Sequence, residues 1–362
     1  MLYYVVALVL SVFLAFLIKS KIASFFVKHI PVLKYVPILP LFFCAALRSF
    51  VGTDYMHYLY NKVPLILSGN SSDEFGFQLL TLFSMNILGH YQWLVAIMAF
   101  LTLFAFFSSW LRFSKKIYLS ILIFVSTGFF YFSLNGMRQA LAIAIFFFAV
   151  RYIINRKPLR YCFAILLAST IHLSALIFFP FYILARVKLK KKNVVMTSLF
   201  LYLVWPVVAM LVYFFFFPSY YGYFEWGTIA GFNWRYLIFL LVIVLIDFYK
   251  KMDKVVAELP SNDKLNVYRN LSLFAFFACN ASPTLTGESA FRVIYMFLPA
   301  TCVYATCLIS LKNKKIYVFF IICCIAEFIW ISSQNPGWVI PYHSIFGDYR
   351  MSYETFRYEL YN

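Results

Sequence analysis

Acid is what this chain lacks most. Among 362 residues, 13 aspartates and glutamates stand against 31 lysines and arginines, and charged residues of both signs make up only 12%. Soluble domains carry about a quarter charged residues, so a water-soluble fold is excluded. No polar stretch exceeds about 30 residues, short of the roughly 50 that an independent soluble domain needs, and 1–362 is expected to be a single integral-membrane domain. There is no Walker A loop, GxGxxG, HExxH or Cys/His box. ATP hydrolysis and metal catalysis therefore have no support, and neither cofactor nor metal is expected. The seven cysteines all fall in apolar runs without ligand spacing and read as small core hydrophobes. No small-residue cleavage site follows the apolar Met1–Ile18, which is expected to be a retained first span.

What the chain has in abundance is hydrophobe: 64% of its residues, with 22% aromatic. This describes an all-α polytopic membrane protein. The formal charge of +18 invites a nucleic-acid partner, but its placement argues against one. Most lysines and arginines sit in six short clusters beside apolar runs, the densest being Arg186, Lys188, Lys190, Lys191 and Lys192. That is the positive-inside pattern of a membrane protein. With all six clusters cytoplasmic and about 20 residues per crossing, about ten transmembrane helices result, with both termini outside. One segment does not fit. Tyr161–Ala185 lies between two clusters, yet its 25 residues are too few to cross twice, since two crossings need about 40. A re-entrant helical hairpin is expected there, its tip at Ser169–Ser174. The expected outer loops run at about 48–77, 218–234 and 281–289, and the tail 334–362 is also outside.

Four arginines depart from the charge rule: Arg48, Arg138, Arg235 and Arg292 are all expected at the outer rim. Arginine offers a rigid two-pronged fork suited to phosphate. Arg138, in "NGMRQALAIAIFFF", and Arg292, after "SPTLTGES", are also expected near helix N-termini, which favour anions. A diphosphate clamp is the functional reading of these two. The plainer alternative pairs the rim arginines with Asp54, Glu288 or Glu327, and for Arg48 and Arg235 it is the stronger one. His172 is the only histidine expected at membrane depth and is the candidate general base, with Asp54 and Glu288 as the alternative bases and a satisfied core histidine as the plainer reading. Asp54, in "RSFVGTDYMHYLY", can accept sugar hydroxyls, and the tyrosines around it can stack on sugars. Glu288 stands four residues before Arg292, the spacing of a helical pair. Glu327 is expected to neutralise an arginine or line the cavity, and Asp247, beside Lys250, to cap a helix end.

"RSFVGTDYMHYLY", "NGMRQALAIAIFFFAVRYI", "LLASTIHLSALIFFPFYIL" and "FRVIYMFLPA" together resemble the EpsG-like branch of Wzy-type O-antigen and exopolysaccharide polymerases. The family pattern falls on Arg48, Gly52, Thr53, Asp54 and Tyr58, on Asn135, Arg138 and Gln139, on His172 and Ser174, and on Arg292. Phe291 replaces the usual aspartate before the late arginine, and Glu288 is the carboxylate that would stand in. The resemblance implies a bacterial inner-membrane polymerase whose active site faces the periplasm or exterior. It would transfer a growing glycan from undecaprenyl diphosphate onto the non-reducing end of a lipid-linked repeat unit. Arg138, Arg292 and His172 would be its catalytic residues. Arg48, Asp54, Tyr58, Asn135, Gln139, Ser174, Arg235 and Glu288 would bind substrate, with Arg48 or Arg235 holding the second lipid's head group. The implied partners are the lipid-linked oligosaccharide as donor and acceptor, the bilayer and a chain-length regulator. The rival readings are a flippase for the same lipid-linked oligosaccharide and an acyltransferase using His172.

Overall fold

A computed structural model describes residues 1–18, 20–207, 234–258, 263–282, 287–309, 313–335 and 339–346, without the side chains of 21–24 and 287–289. Among these residues the chain is helical, and its β-type pairing is an isolated antiparallel bridge between Arg48 and Ser344. The apolar runs set the long helices. Tyr91–Phe113, Met137–Ile154, Ala290–Leu308 and Lys314–Gln334 are each long and apolar enough to cross a bilayer. Ile117–Ser126 and Phe129–Asn135 form a further span broken by a 61° bend. Gly128 makes the bend possible: its φ is +79°, and a Cβ there would lie 2.8 Å from Ile331 Cγ1.

The ten crossings expected from charge are thus not matched by ten such helices; the described residues give four, or five with the bent pair. Several elements fall short for visible reasons. Leu2–Leu17 has 16 residues. The Pro158–Ser169 helix has 12 residues. Lys264–Ala281 carries Asn266, Arg269, Asn270 and Ser272, all buried inside the protein. Of the expected outer segments, 218–233, 283–286 and the tail from 347 lie outside the described residues, as does the side chain of Glu288.

Tyr161–Ala185 turns back on itself. The helix Pro158–Ser169 is 12 residues long, about 18 Å and well short of a bilayer core. After Thr170–His172 the chain returns as a 3-10 helix, Leu173–Phe178. The Tyr161 hydroxyl donates to the Phe178 carbonyl, closing the hairpin near its base. Phe178 also stacks on Phe146 with ring centroids 3.9 Å apart, fastening the returning strand of chain to the Met137–Ile154 helix. A pair of this kind adds about 0.5–1.5 kcal/mol beyond burial.

A buried charge pair ties the later helices together. Arg269 is fully buried, and its Nε and Nη2 donate to the two carboxylate oxygens of Asp247 at 2.7 and 2.8 Å. Tyr304 donates to the same carboxylate, and Arg269 Nη1 donates to the Leu189 carbonyl at 2.6 Å. Asp247 is therefore not the helix cap expected beside Lys250. It is the counter-ion of a buried arginine, and it links three helices. Asp247→Ala should cost about 3–5 kcal/mol, because it strands a buried charge. The check is a large fall in melting temperature in detergent, partly restored by Asp247→Leu combined with Arg269→Met.

Candidate functional site

The motif residues of the first outer segment are placed by a tight turn. Phe50 and Gly52 both have positive φ, and the short helix Thr53–His57 follows. Asn135, two residues before the Met137–Ile154 helix, fixes that turn from the side. Its Oδ1 accepts from the Asp54 amide at 2.8 Å, and its Nδ2 donates to Thr53 Oγ1 at 3.0 Å. Arg48 lies beneath this contact, 2% exposed. Its Nη1 donates to the Ala45 carbonyl at 2.7 Å and its Nη2 to the Leu134 carbonyl at 2.9 Å. The fork is spent on main chain. Arg48 tethers the motif and does not line the cavity above it.

That cavity has a volume of about 290 Å³ and is lined by Asp54, His57, Tyr58, Lys62, Gly136, Arg138, Gln139, His172 and Arg292. The fold thus brings Asp54 and Tyr58, Arg138 and Gln139, His172, and Arg292 together from four separate stretches of sequence. Arg138 is the second residue of its helix. Arg292 is exposed, and it is the sixth residue of Gly287–Tyr295, not at the N-terminus expected for it. Gln139 donates to the Arg292 carbonyl at 3.5 Å. Ser174 sits one turn beyond the cavity in the 3-10 helix. Arg235 is elsewhere. It pairs with Glu327 at 2.8 Å in a second, mostly apolar cavity of about 250 Å³ lined by Trp234 and Trp330.

Two carboxylates not expected from the sequence hold residues that line the main cavity. Arg138 Nη1 donates to Asp73 Oδ1 at 2.7 Å and to Glu74 Oε2 at 2.8 Å. Lys62 Nζ shares Asp73 Oδ1 at 2.9 Å. Glu74 Oε1 accepts from the Leu173 amide at 2.9 Å and lies 3.3 Å from His172 Nδ1. The carboxylates that meet Arg138 are thus Asp73 and Glu74, which were not among the expected partners. The signal was present in "SSDEFGF", which holds the only adjacent pair of acidic residues in a chain with 13 of them. Lys62 and His57 were likewise not proposed as site residues.

The surroundings set the protonation of these groups. Burial pushes the Asp73 carboxyl up, but hydrogen bonds from Lys62 and Ser71 and the charges of Arg138 and Lys62 outweigh it, leaving the group below its ordinary value. Burial pushes the Tyr58 phenol up to about 12 against the pull of Arg138, so it stays neutral. Burial also pushes the His172 imidazole down; Glu74 raises it, and Arg138 and Arg292 lower it. The outcome is a neutral imidazole among cations, able to accept a proton. Among the described residues no three of His, Cys, Asp or Glu converge as a metal set. The cavity thus sets Lys62, Arg138 and Arg292 around the His172 imidazole.

The hairpin tip is held in place by close backbone contact. The amides of Gly76 and Phe77 donate to the Thr170 carbonyl at 2.8 and 3.2 Å. A Cβ on Gly76 would lie 2.4 Å from Thr170 Oγ1 and 2.9 Å from the Thr170 carbonyl oxygen. Replacing glycine by alanine inside a helix ordinarily stabilises by about 0.5–1 kcal/mol. Gly76→Ala should do the reverse, loosening the tip, and faster amide hydrogen exchange across 168–174 is the measurement that checks it.

A sequence model described as the EpsG family matches residues 31–344, a range that includes Arg48, Asp54, Asp73, Glu74, Arg138, His172 and Arg292. Comparison with curated proteins and with solved structures gives no match. The chain belongs to the EpsG family, which is associated with glycosyltransferase-like polysaccharide polymerases.

Proposed function

We propose that this protein is a metal-independent polysaccharide polymerase. It transfers a growing glycan from a polyprenyl diphosphate, undecaprenyl diphosphate in bacteria, onto the non-reducing end of a second lipid-linked repeat unit. The observation that carries the reading is the convergence of Arg138, Arg292, Lys62 and His172 on one cavity. Three of these are fixed or exposed cations suited to a diphosphate, and the fourth is a base held neutral.

In the reaction, the bond between the donor sugar's anomeric carbon and the diphosphate breaks, and the electron pair leaves on the lipid diphosphate. Arg138 and Arg292 stabilise the negative charge that develops there. The attacking acceptor hydroxyl forms the new glycosidic bond and gives its proton to His172. Asp54 accepts hydrogen bonds from sugar hydroxyls, and the neutral Tyr58 ring packs beside Arg138, whose guanidinium carbon lies 5.8 Å from the ring centre. The site opens to the outer face of the bacterial inner membrane, with both termini on that side. Arg48 supports the site from below, and Arg235, with Glu327, serves at the neighbouring apolar cavity.

The test is purified protein in liposomes supplied with a lipid-linked repeat, with product length read on a gel. Arg138→Ala should lower the rate by about 10²–10³-fold, the effect of removing one preorganised donor from a developing anion. Arg138→Lys should recover only part of it, because a point charge cannot grip two oxygens. Full-length ladders at the normal rate from both variants would remove the clamp. The pH dependence has a definite sign. Burial and the two arginines depress the His172 pKa, so the base form persists below the ordinary imidazole value of about 6.5. The rate should hold through that pH and fall only in more acidic buffer, and His172→Gln should abolish the fall along with most of the rate.

A further inference from the structure

Glu74 does more than neutralise an arginine. One of its oxygens accepts from Arg138 Nη1 at 2.8 Å, and the other accepts from the Leu173 amide at 2.9 Å and lies 3.3 Å from His172 Nδ1. A single carboxylate thus touches the anion-gripping side chain, the histidine, and the backbone next to that histidine. The His172 Nδ1 atom is buried and has no hydrogen-bond partner, Glu74 Oε1 lying 3.3 Å from it, while the ring lines the cavity. The edge of the ring left for the cavity is therefore the one that carries Nε2. A buried ring nitrogen bearing a proton needs an acceptor, and Glu74 is in position to be it. Hydrogen bonds of this kind are often long in an empty site and tighten when substrate arrives.

We propose that Glu74 is a positioning residue that aims His172, holding Nδ1–H toward its own carboxylate so that the Nε2 lone pair faces the acceptor hydroxyl. The proposal rests on His172 being the base. On attack, the hydroxyl proton passes to Nε2. The imidazolium that forms shares its Nδ1–H with Glu74, while the electron pair of the breaking sugar–diphosphate bond departs on the lipid. Because Glu74 also holds Arg138, the grip on the leaving group and the aim of the base are set by one side chain. The charged groups facing His172 are Glu74 from the loop before Phe75, Arg138 from its helix, Arg292 from Gly287–Tyr295, and Asp54, His57 and Lys62 from the first outer segment. Of these, Glu74 is the carboxylate paired with the imidazole.

The experiment compares Glu74→Gln, Glu74→Asp and His172→Gln in the liposome assay across pH. Glutamine keeps the shape and can still accept from the Leu173 amide, but it cannot stabilise an imidazolium by charge. Glu74→Gln should lower kcat by at least about tenfold and move the acid limb of kcat/KM to lower pH. Glu74→Asp should return the limb part of the way, and it carries the same test should the glutamine variant fail to fold. A lowered kcat with the limb unmoved in the folded variants means that Glu74 only braces the hairpin, and it overturns the proposal. So does a wild-type rate. His172→Gln separates the two levels. If it keeps the wild-type rate and limb, the base itself is misassigned. If it is nearly inactive while Glu74→Gln leaves the limb in place, the positioning role alone is lost.

Discussion

A guanidinium in so apolar a chain has to be compensated, and the compensation of Arg138 organises everything around the cavity. Removing a charge from water costs several kcal/mol unless opposite charge and hydrogen bonds meet it. Here one nitrogen of Arg138 is met by two carboxylates. Each of those carboxylates then reaches a second place: Asp73 holds Lys62, and Glu74 holds the hairpin tip. Three stretches far apart in sequence are thereby fixed to one another by charge. The apolar packing below, such as the stack of Phe178 on Phe146, sets depth but not direction. The same logic recurs lower in the protein, where Asp247 answers the fully buried Arg269.

Much of this was legible in the sequence, and the parts that were not share a cause. The hairpin could be read because length is a hard constraint: 25 residues between two basic clusters cannot cross twice. The convergence of Asp54, Arg138, His172 and Arg292 on one cavity follows the ordered motifs. Charge position separated the arginines in part: ion pairing was the stronger expectation for Arg48 and Arg235, and Arg235 does pair with Glu327. What it could not show is that Arg48 gives both terminal nitrogens to the Ala45 and Leu134 carbonyls and not to a carboxylate. Partner choice is a tertiary property, and helical spacing says nothing of it.

The same blindness hid Asp73 and Glu74 in a long outer loop, 65 and 64 residues before the arginine they hold. It also turned Asp247 into a helix cap, since Lys250 is near in sequence and Arg269 is 22 residues away. The count of ten spans is not matched among the described residues, for a different reason. Basic clusters mark where a crossing ends but not whether the helix between them is whole. A glycine with positive φ at 128 bends one crossing by 61° without changing its charge signature.

The short hairpin has an outward side that is strongly apolar: Leu159, Phe163, Leu173 and Ile183 are each more than 60% exposed. On such a surface hydrocarbon is the natural solvent. Under the proposed function, the ledge that carries His172 meets the acyl chains on this side, while its inner edge borders the cationic pocket. The proposed lipid-linked substrate, its greasy anchor staying in the leaflet, would then bring its polar end to that ledge by two-dimensional diffusion alone. Encounter then depends on surface density in the membrane, and not on concentration in the surrounding water.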